Sequence, residues 1–135
     1  MNKKNNNIFT KIINNEILSY KIAENKNHLA FLDIYPIKIG HTLVIPKKNI
    51  DKIFSLTEKE FLSFMSFTRK IALVLEKVIP CNRIGVFVLG FEIPHVHIHL
   101  IPMDQENDVN FSKKRMIFSK KKLVILSKKI KKYIT

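Results

Sequence analysis

Three histidines alternate with apolar residues in one short segment, HVHIHL at residues 95–100. Because side chains of a β-strand alternate between its two faces, this spacing predicts three imidazoles on one face and an apolar row behind them. The ordinary pKa of imidazole lies near neutrality, and three neighbouring rings cannot all be charged without repulsion. We therefore expect some of the rings to stay neutral and nucleophilic, which suits attack on an electron-poor phosphorus.

The same three imidazoles satisfy the ligand number of a catalytic zinc ion, so a metal site is an alternative. Residues two apart on a strand are separated by about 6.6 Å. The outer pair, His95 and His99, is then too widely spaced to close easily around one ion. A plain solvent-facing strand is a further alternative, although lysine or threonine would serve that purpose equally well. We predict a phosphate site with no metal ligands and no cofactor.

The elements that must position these histidines are predicted to form an α+β fold, an antiparallel sheet of about five strands with three helices. Strands are predicted at residues 20–24, 28–33, 41–46, 83–89 and 94–101. A capping box at Thr57 and Glu60 predicts a long helix that runs to about residue 79. Asn7 and Ser119 are predicted to cap an N-terminal helix and a C-terminal helix.

Length and composition indicate one compact domain, with 135 residues of which 46% are hydrophobic. The single cysteine, Cys81, excludes an intramolecular disulfide and any multi-cysteine zinc site. The opening MNKKNNNIF has no apolar region typical of a signal peptide, and no apolar run is long enough to span a bilayer. We expect a cytoplasmic protein with no membrane partner.

The net charge of +13 is distributed unevenly along the chain. Residues 110–135 contain ten Lys or Arg and no Asp or Glu, whereas the first 109 residues contain 14 basic and 11 acidic side chains. We predict a catalytic domain at residues 1–109 and a basic, helical C-terminal extension at 110–135, whose residues 112–135 are dispensable for the phosphate chemistry. Nucleic acid is a possible partner of this extension, but no recognised nucleic-acid motif favours it.

Two separated motifs resemble those of the histidine triad family. One is the His-x-His-x-His run followed by two apolar residues at 95–101. The other is AFLDIYPIKIGHTLVIPK at 30–47, which is similar to the nucleotide-binding segment of the family. The opening IFTKIINNEI at 8–17 also resembles the N-terminal helix of the family. The resemblance covers residues 8–102 and implies a homodimeric nucleotide hydrolase or transferase with a small-molecule substrate.

The resemblance implies a reaction at the α-phosphorus of a nucleoside 5′-phosphoramidate, an adenylylated compound or a dinucleoside polyphosphate. It assigns His97 as the nucleophile that forms a covalent nucleotidyl-histidine intermediate, later hydrolysed by water. His99 and His41 are expected beside the phosphate oxygens, and His95 is expected to orient the cluster. Asp33 matches the acidic residue that accepts hydrogen bonds from the ribose hydroxyls. The alternative for Asp33 is a turn residue before Pro36.

The resemblance also assigns residues to the base and to the leaving group. Apolar residues expected to enclose a purine base are Ile8, Phe9, Ile12, Phe31 and Ile34, for which ordinary core packing is the alternative. Gly90 and Glu92 are expected near the leaving group. Phe91 replaces a usual glutamine and the usual asparagine of the preceding strand is absent, which affects substrate choice. A nucleotide-binding protein that has lost turnover through these replacements is therefore a further alternative, beside a nucleic-acid-binding protein.

Overall fold

A five-stranded antiparallel sheet forms the frame of the protein, whose computed structural model describes residues 7–135. The strands are β1 (Tyr20–Glu24), β2 (His28–Leu32), β3 (Thr42–Pro46), β4 (Arg83–Val88) and β5 (Ile98–Met103). Their order across the sheet is β1-β2-β3-β5-β4, and every neighbouring pair is antiparallel. The helices are α1 (Ile8–Ile13), α2 (Glu58–Val78) and α3 (Lys120–Lys131). The predicted α+β fold with three helices is confirmed.

The three helices begin at the residues that the sequence predicts as caps. The Thr57 hydroxyl accepts a hydrogen bond from the Glu60 N–H at 3.1 Å, and the Glu60 carboxylate accepts one from the Thr57 N–H at 2.8 Å. Asn7 caps α1 and Ser119 caps α3 in the same manner. These bonds satisfy N–H groups that have no partner within the helix. The opening residues 1–6, on which part of the signal-peptide prediction depends, lie outside the described residues.

Both faces of the sheet are covered, and each face has its own apolar cluster. On β2, Ala30 and Leu32 join a cluster with α2 and α3, whereas Leu29 and Phe31 join a second cluster with Phe9 of α1. This alternation is the two-residue period of a strand buried on both sides. None of the helices within residues 7–135 is long and apolar enough to cross a membrane. The α1 side of the sheet carries the histidines.

The prediction of a strand over residues 94–101 is wrong at its start, because β5 begins at Ile98. The last residue of β4, Val88, pairs with Ile98, so no neighbour continues on that side. On the other side the pairing of β3 with β5 stops at Val44 opposite Ile98. If this register continued, Pro46 would lie opposite Val96, but a proline has no N–H to donate to a partner strand. The first two histidines of the run therefore lie just before the strand.

The alternation of faces nevertheless continues through this segment. Val96 lies in the cluster under α2, and its N–H donates to the Ile50 carbonyl at 2.8 Å. His95 and His97 point to the opposite side, where both rings contact Phe9. The predicted row of imidazoles with an apolar backing is thus present, although only part of it is a β-strand.

Candidate active site

A cavity of about 880 Å³ opens on the α1 side of the sheet, at the ends of β2 and β4. Ten of the twelve predicted site residues line it, namely Ile8, Phe9, Ile12, Phe31, Asp33, Ile34, Gly90, Glu92, His97 and His99. The remaining two, His41 and His95, are fully buried beside it. The residues that sequence places far apart therefore meet at one cavity of a size typical of small-molecule sites.

His97 lines the cavity with a ring whose orientation is fixed by the main chain. Its Nδ1 lies 2.7 Å from the carbonyl oxygen of His95. Since a carbonyl only accepts, Nδ1 must carry the hydrogen, and in the neutral ring Nε2 keeps a free lone pair. The Phe9 ring packs edge-on at 4.9 Å between ring centroids and limits ring movement. These contacts hold the ring with its Nε2 lone pair unused by any of residues 7–135.

His95 supports this arrangement from behind. Its Nε2 lies 2.8 Å from the carbonyl oxygen of Pro46, so Nε2 carries the hydrogen. Its Nδ1 lies 3.4 Å from the side-chain amide nitrogen of Asn7, the residue that caps α1. Burial lowers the pKa of His95, and the neighbouring His97 lowers it further, against the effect of the Pro46 carbonyl. His95 is therefore a neutral ring that joins α1 to the histidine segment.

His41 and His99 form a hydrogen-bonded pair whose tautomers follow from one backbone contact. The Ile37 N–H donates to His41 Nδ1 at 3.0 Å, which leaves the hydrogen of the neutral ring on Nε2. That Nε2 donates to His99 Nδ1 at 2.9 Å, so the neutral His99 ring carries its hydrogen on Nε2. His99 therefore offers the cavity an N–H donor, the group that a phosphate oxygen needs.

The charge state of this pair agrees with the tautomers. Burial lowers the pKa of His41 to about 3, with further lowering by His99 and Arg115. Burial lowers the pKa of His99 to about 4, with further lowering by His97 and Arg115. Both rings are neutral near pH 7. His41 does not itself line the cavity, and its hydrogen bond to His99 connects it to the ring that does.

Asp33 follows β2 and presents its carboxylate to the same cavity. Oδ1 accepts a hydrogen bond from the Tyr35 N–H at 2.9 Å, and Oδ2 lies 3.3 Å from Nη1 of Arg115. Burial raises the pKa of Asp33, while the Tyr35 N–H and the Arg115 charge oppose that rise. The turn that the sequence offers as an alternative is present, and the same residue also faces the cavity.

The chain is similar to known proteins over most of its length. The HIT domain family model matches residues 14–106 of the chain. The chain belongs to the HIT family. The residues that form the cavity come from both ends of the matched region and from the segments that flank it.

Two relatives and one solved structure show the extent of the similarity. An uncharacterized HIT-like protein from Borreliella burgdorferi is 34% identical over 113 residues, 78% of this chain and 81% of the relative. Adenosine 5′-monophosphoramidase HNT1 from Saccharomyces cerevisiae is 38% identical over 104 residues, 73% of this chain and 63% of the relative. A crystal structure of a Hit-like protein involved in cell-cycle regulation from Bartonella henselae matches with a TM-score of 0.82 and 32% identity, covering 95% and 96% of the two chains.

Three cavity residues follow the C-terminal end of the region that the HIT domain model matches, and sequence reasoning missed them. They are Phe111, Lys113 and Arg115, all in the basic extension. The Phe111 ring lies edge-on to His99 with 4.9 Å between ring centroids. The sequence signal at these positions is an aromatic residue, Phe111, at the start of a basic run. It does not indicate that this segment contacts the histidines. Proximity to the histidines arises only when the segment between β5 and α3 folds back along the cavity, where the Met116 N–H donates to the Pro36 carbonyl.

One group within residues 7–135 has donor atoms close enough to share a metal ion. One donor atom each of Asp33, His41 and His99 lies within 4.8 Å of the others. The two histidine nitrogens that face one another are already joined by a hydrogen bond, and Arg115 places a cation on the carboxylate. An ion would have to displace both contacts and meet the repulsion of the guanidinium. We therefore assign no metal ligands in this HIT domain.

Proposed function

We propose that this HIT protein is a nucleotide hydrolase or transferase that acts at the α-phosphorus of its substrate through a covalent intermediate on His97. The observation that carries the proposal is the pair of fixed tautomers at one wall of the cavity. His97 offers a lone pair on Nε2, and the neighbouring His99 offers an N–H donor on Nε2. Their ring centroids are 5.1 Å apart, so both groups can reach one phosphate.

The other cavity walls fit the remaining parts of a nucleotide. Phe9, Ile12 and Phe31 supply buried apolar surface for a flat base, with Ile8 and Ile34 at the more exposed rim. Asp33 supplies carboxylate oxygens, which accept hydrogen bonds from ribose hydroxyls. An apolar wall with a few polar groups is the usual composition of a ligand site. These contacts support a purine nucleotide as the bound part of the substrate.

The reaction that follows from this geometry has two displacements. In the first, Nε2 of His97 forms a bond to phosphorus while the bond from phosphorus to the leaving group breaks. Positive charge develops on the ring and is stabilised by the Nδ1–H bond to the His95 carbonyl. In the second, water attacks phosphorus and loses a proton, the N–P bond breaks, and neutral His97 returns with release of the nucleoside monophosphate. The proton released in this step balances the one that the leaving group takes up from solvent in the first.

The leaving-group side of the cavity is formed by Gly90 and Glu92, and it is open. Gly90 has φ +90°, a left-handed conformation that glycine adopts without the cost other residues incur. Phe91, beside it, is 96% exposed. A wide opening at this side suits a leaving group larger than ammonia. We propose an adenylylated compound or a dinucleoside polyphosphate as candidates alongside a phosphoramidate.

The edge of the sheet supports the expectation of a homodimer. β4 is an edge strand, and an edge presents unpaired N–H and C=O groups that a second chain can pair with. Val86 and Val88 on this strand are 54% and 40% exposed. An exposed apolar edge of this kind is typical of an interaction surface.

Turnover of a small substrate panel tests the proposed function. We expect release of AMP from at least one of adenosine 5′-phosphoramidate, an adenylylated amine and diadenosine tetraphosphate, measured by chromatography. Activity should survive treatment with EDTA because the chemistry uses imidazoles. Binding without AMP release from any of the three would support the nucleotide-binding alternative. Loss of activity in EDTA that zinc restores would support a metal-dependent hydrolase.

A further inference from the structure

Arg115 connects the basic extension to the carboxylate of the candidate site. Its Nη1 donates to the Asp33 carboxylate at 3.3 Å and to the Tyr35 carbonyl at 2.9 Å. Both acceptors belong to the turn that follows β2, and the guanidinium is only half-buried. Arg115 itself lies outside residues 14–106, the region that the HIT domain model matches. The contact therefore adds a feature that the matched region does not contain.

The segment that carries Arg115 is fixed at both ends of its path along the cavity. The Met116 N–H donates to the Pro36 carbonyl at 3.0 Å, next to the turn. At the other end, the Phe111 ring packs between His99 and Phe87, at 4.9 and 5.6 Å between ring centroids. A segment fixed in this manner holds a side chain in place at small additional entropic cost.

We propose that Arg115 is a positioning residue that orients the Asp33 carboxylate for the ribose of the substrate. Recognition of the ribose then depends on the C-terminal extension as well as on the matched domain. The proposal rests on the proposed function, because it takes a nucleotide as the ligand of Asp33. The guanidinium donates one bond to Oδ2 and is itself held by the Tyr35 carbonyl, and the Tyr35 N–H donates one bond to Oδ1. These two bonds leave the carboxylate little freedom to rotate, with its remaining lone pairs free for hydroxyl donors.

The groups around Asp33 show why a cation is needed there. Burial alone favours the protonated carboxyl, which would lose acceptor sites for hydroxyl groups. The Tyr35 N–H is a neutral donor, and His41, whose Nε2 lies 3.7 Å away, is neutral at pH 7. His97 also lies near enough to act on the carboxyl through its charge when it is protonated. Among the described residues recorded in contact with this carboxylate, Arg115 is the one that is charged at every accessible pH.

The experiment compares adenosine 5′-phosphoramidate with its 2′-deoxy counterpart on the full chain. The readout is the ratio of kcat/KM for the two substrates as a function of pH. We expect Arg115→Ala to lower this ratio about tenfold, the usual worth of a hydrogen bond to a charged group. As the pH is lowered, the ratio should begin to fall at a higher pH in Arg115→Ala than in the wild type, since removal of the cation raises the pKa of Asp33.

Two variants serve as controls for the effect of Arg115. Arg115→Lys keeps the charge and should retain most of the pH profile. It should lose part of the preference for ribose, because a flexible ammonium is held less firmly between the Asp33 carboxylate and the Tyr35 carbonyl than Nη1 is. Lys114→Ala removes a neighbouring exposed cation that does not line the cavity and should match the wild type. Equal unfolding midpoints in urea for the Arg115 and Lys114 variants exclude a general loss of structure.

Asp33→Asn separates failure of this proposal from failure of the proposed function. If Asp33→Asn loses the preference for ribose and Arg115→Ala keeps the wild-type ratio and pH profile, Arg115 has no positioning role and the nucleotide site stands. A higher kcat/KM of Arg115→Ala for the ribose substrate would show that Arg115 competes with the ribose, which also overturns the proposal. If Asp33→Asn keeps the preference for ribose, Asp33 does not bind the ribose and the proposal for Arg115 is wrong, whereas the reaction at the α-phosphorus is overturned only by the absence of AMP release from the substrate panel.

Discussion

Replacement of His97 by alanine should reduce kcat/KM for the best panel substrate by about 10⁴- to 10⁶-fold, the range seen when an enzyme loses its nucleophile. The expectation follows from the fixed tautomer of His97. Its hydrogen is on Nδ1, so the free lone pair is on Nε2 of a ring that lines the cavity. The neighbouring His99 offers a hydrogen there instead. Steady-state release of AMP by purified variants measures the effect.

His95→Ala is the matched control for this prediction. His97 Nδ1–H donates its hydrogen bond to the backbone carbonyl of residue 95, which alanine retains. What is lost is the bond from the ring to the Pro46 carbonyl, and this leaves a buried acceptor unpaired. We expect a reduction of about 10- to 100-fold, as for one hydrogen bond to a charged or buried group. Near-native turnover of His97→Ala would exclude His97 as the nucleophile.

Replacement of Ile130 by alanine should lower the free energy of unfolding by about 2–5 kcal/mol, the usual cost of such a truncation in a core. Ile130 lies in α3, is fully buried, and belongs to the cluster formed by α2 and the sheet. A cavity left there cannot be filled by water without further cost. Urea unfolding followed by circular dichroism measures the difference.

Ile125→Ala on the same helix is the control, because Ile125 is 57% exposed. Its effect should stay within about 0.5 kcal/mol, since surface changes are small and alanine is the better helix former. Equal effects of the two substitutions would show that α3 does not pack as described. If Ile130→Ala strongly lowers the free energy of unfolding and Ile125→Ala does not, α3 is part of the core. Deletion of residues 112–135 would then unfold the protein, which contradicts the expectation that they are dispensable.

The sequence predicts the fold well because its signals are local. Alternation of apolar residues, the Thr57 capping box and the cap at Ser119 each depend on neighbours within a few residues. The start of β5 was placed wrongly because strand ends depend on the partner strands, here on Val88 and on a proline opposite. No pattern within residues 94–101 carries that information.

The site is predicted in part, and the missing part depends on tertiary packing. A motif identifies His97 and His99, but the role of His41 follows from its contact with the Ile37 N–H, which fixes a tautomer. Arg115 and Phe111 reach the cavity only because the segment between β5 and α3 folds back on the turn after β2 and on His99. A run of lysines in the sequence gives no indication that one arginine in it contacts a buried carboxylate.

The stereochemical outcome at phosphorus tests the central claim, a covalent intermediate on His97, most directly. The substrate is a nucleotide whose α-phosphorus is chiral through a sulfur or oxygen-isotope label. The reaction is run in water of a further oxygen isotope, so that the released monophosphate is also chiral, and its configuration is determined by NMR. Each in-line displacement inverts phosphorus, so attack by His97 followed by attack by water predicts overall retention. This measurement does not require the intermediate to accumulate. Overall inversion would show that water attacks phosphorus in a single step, and would contradict the account given for His97.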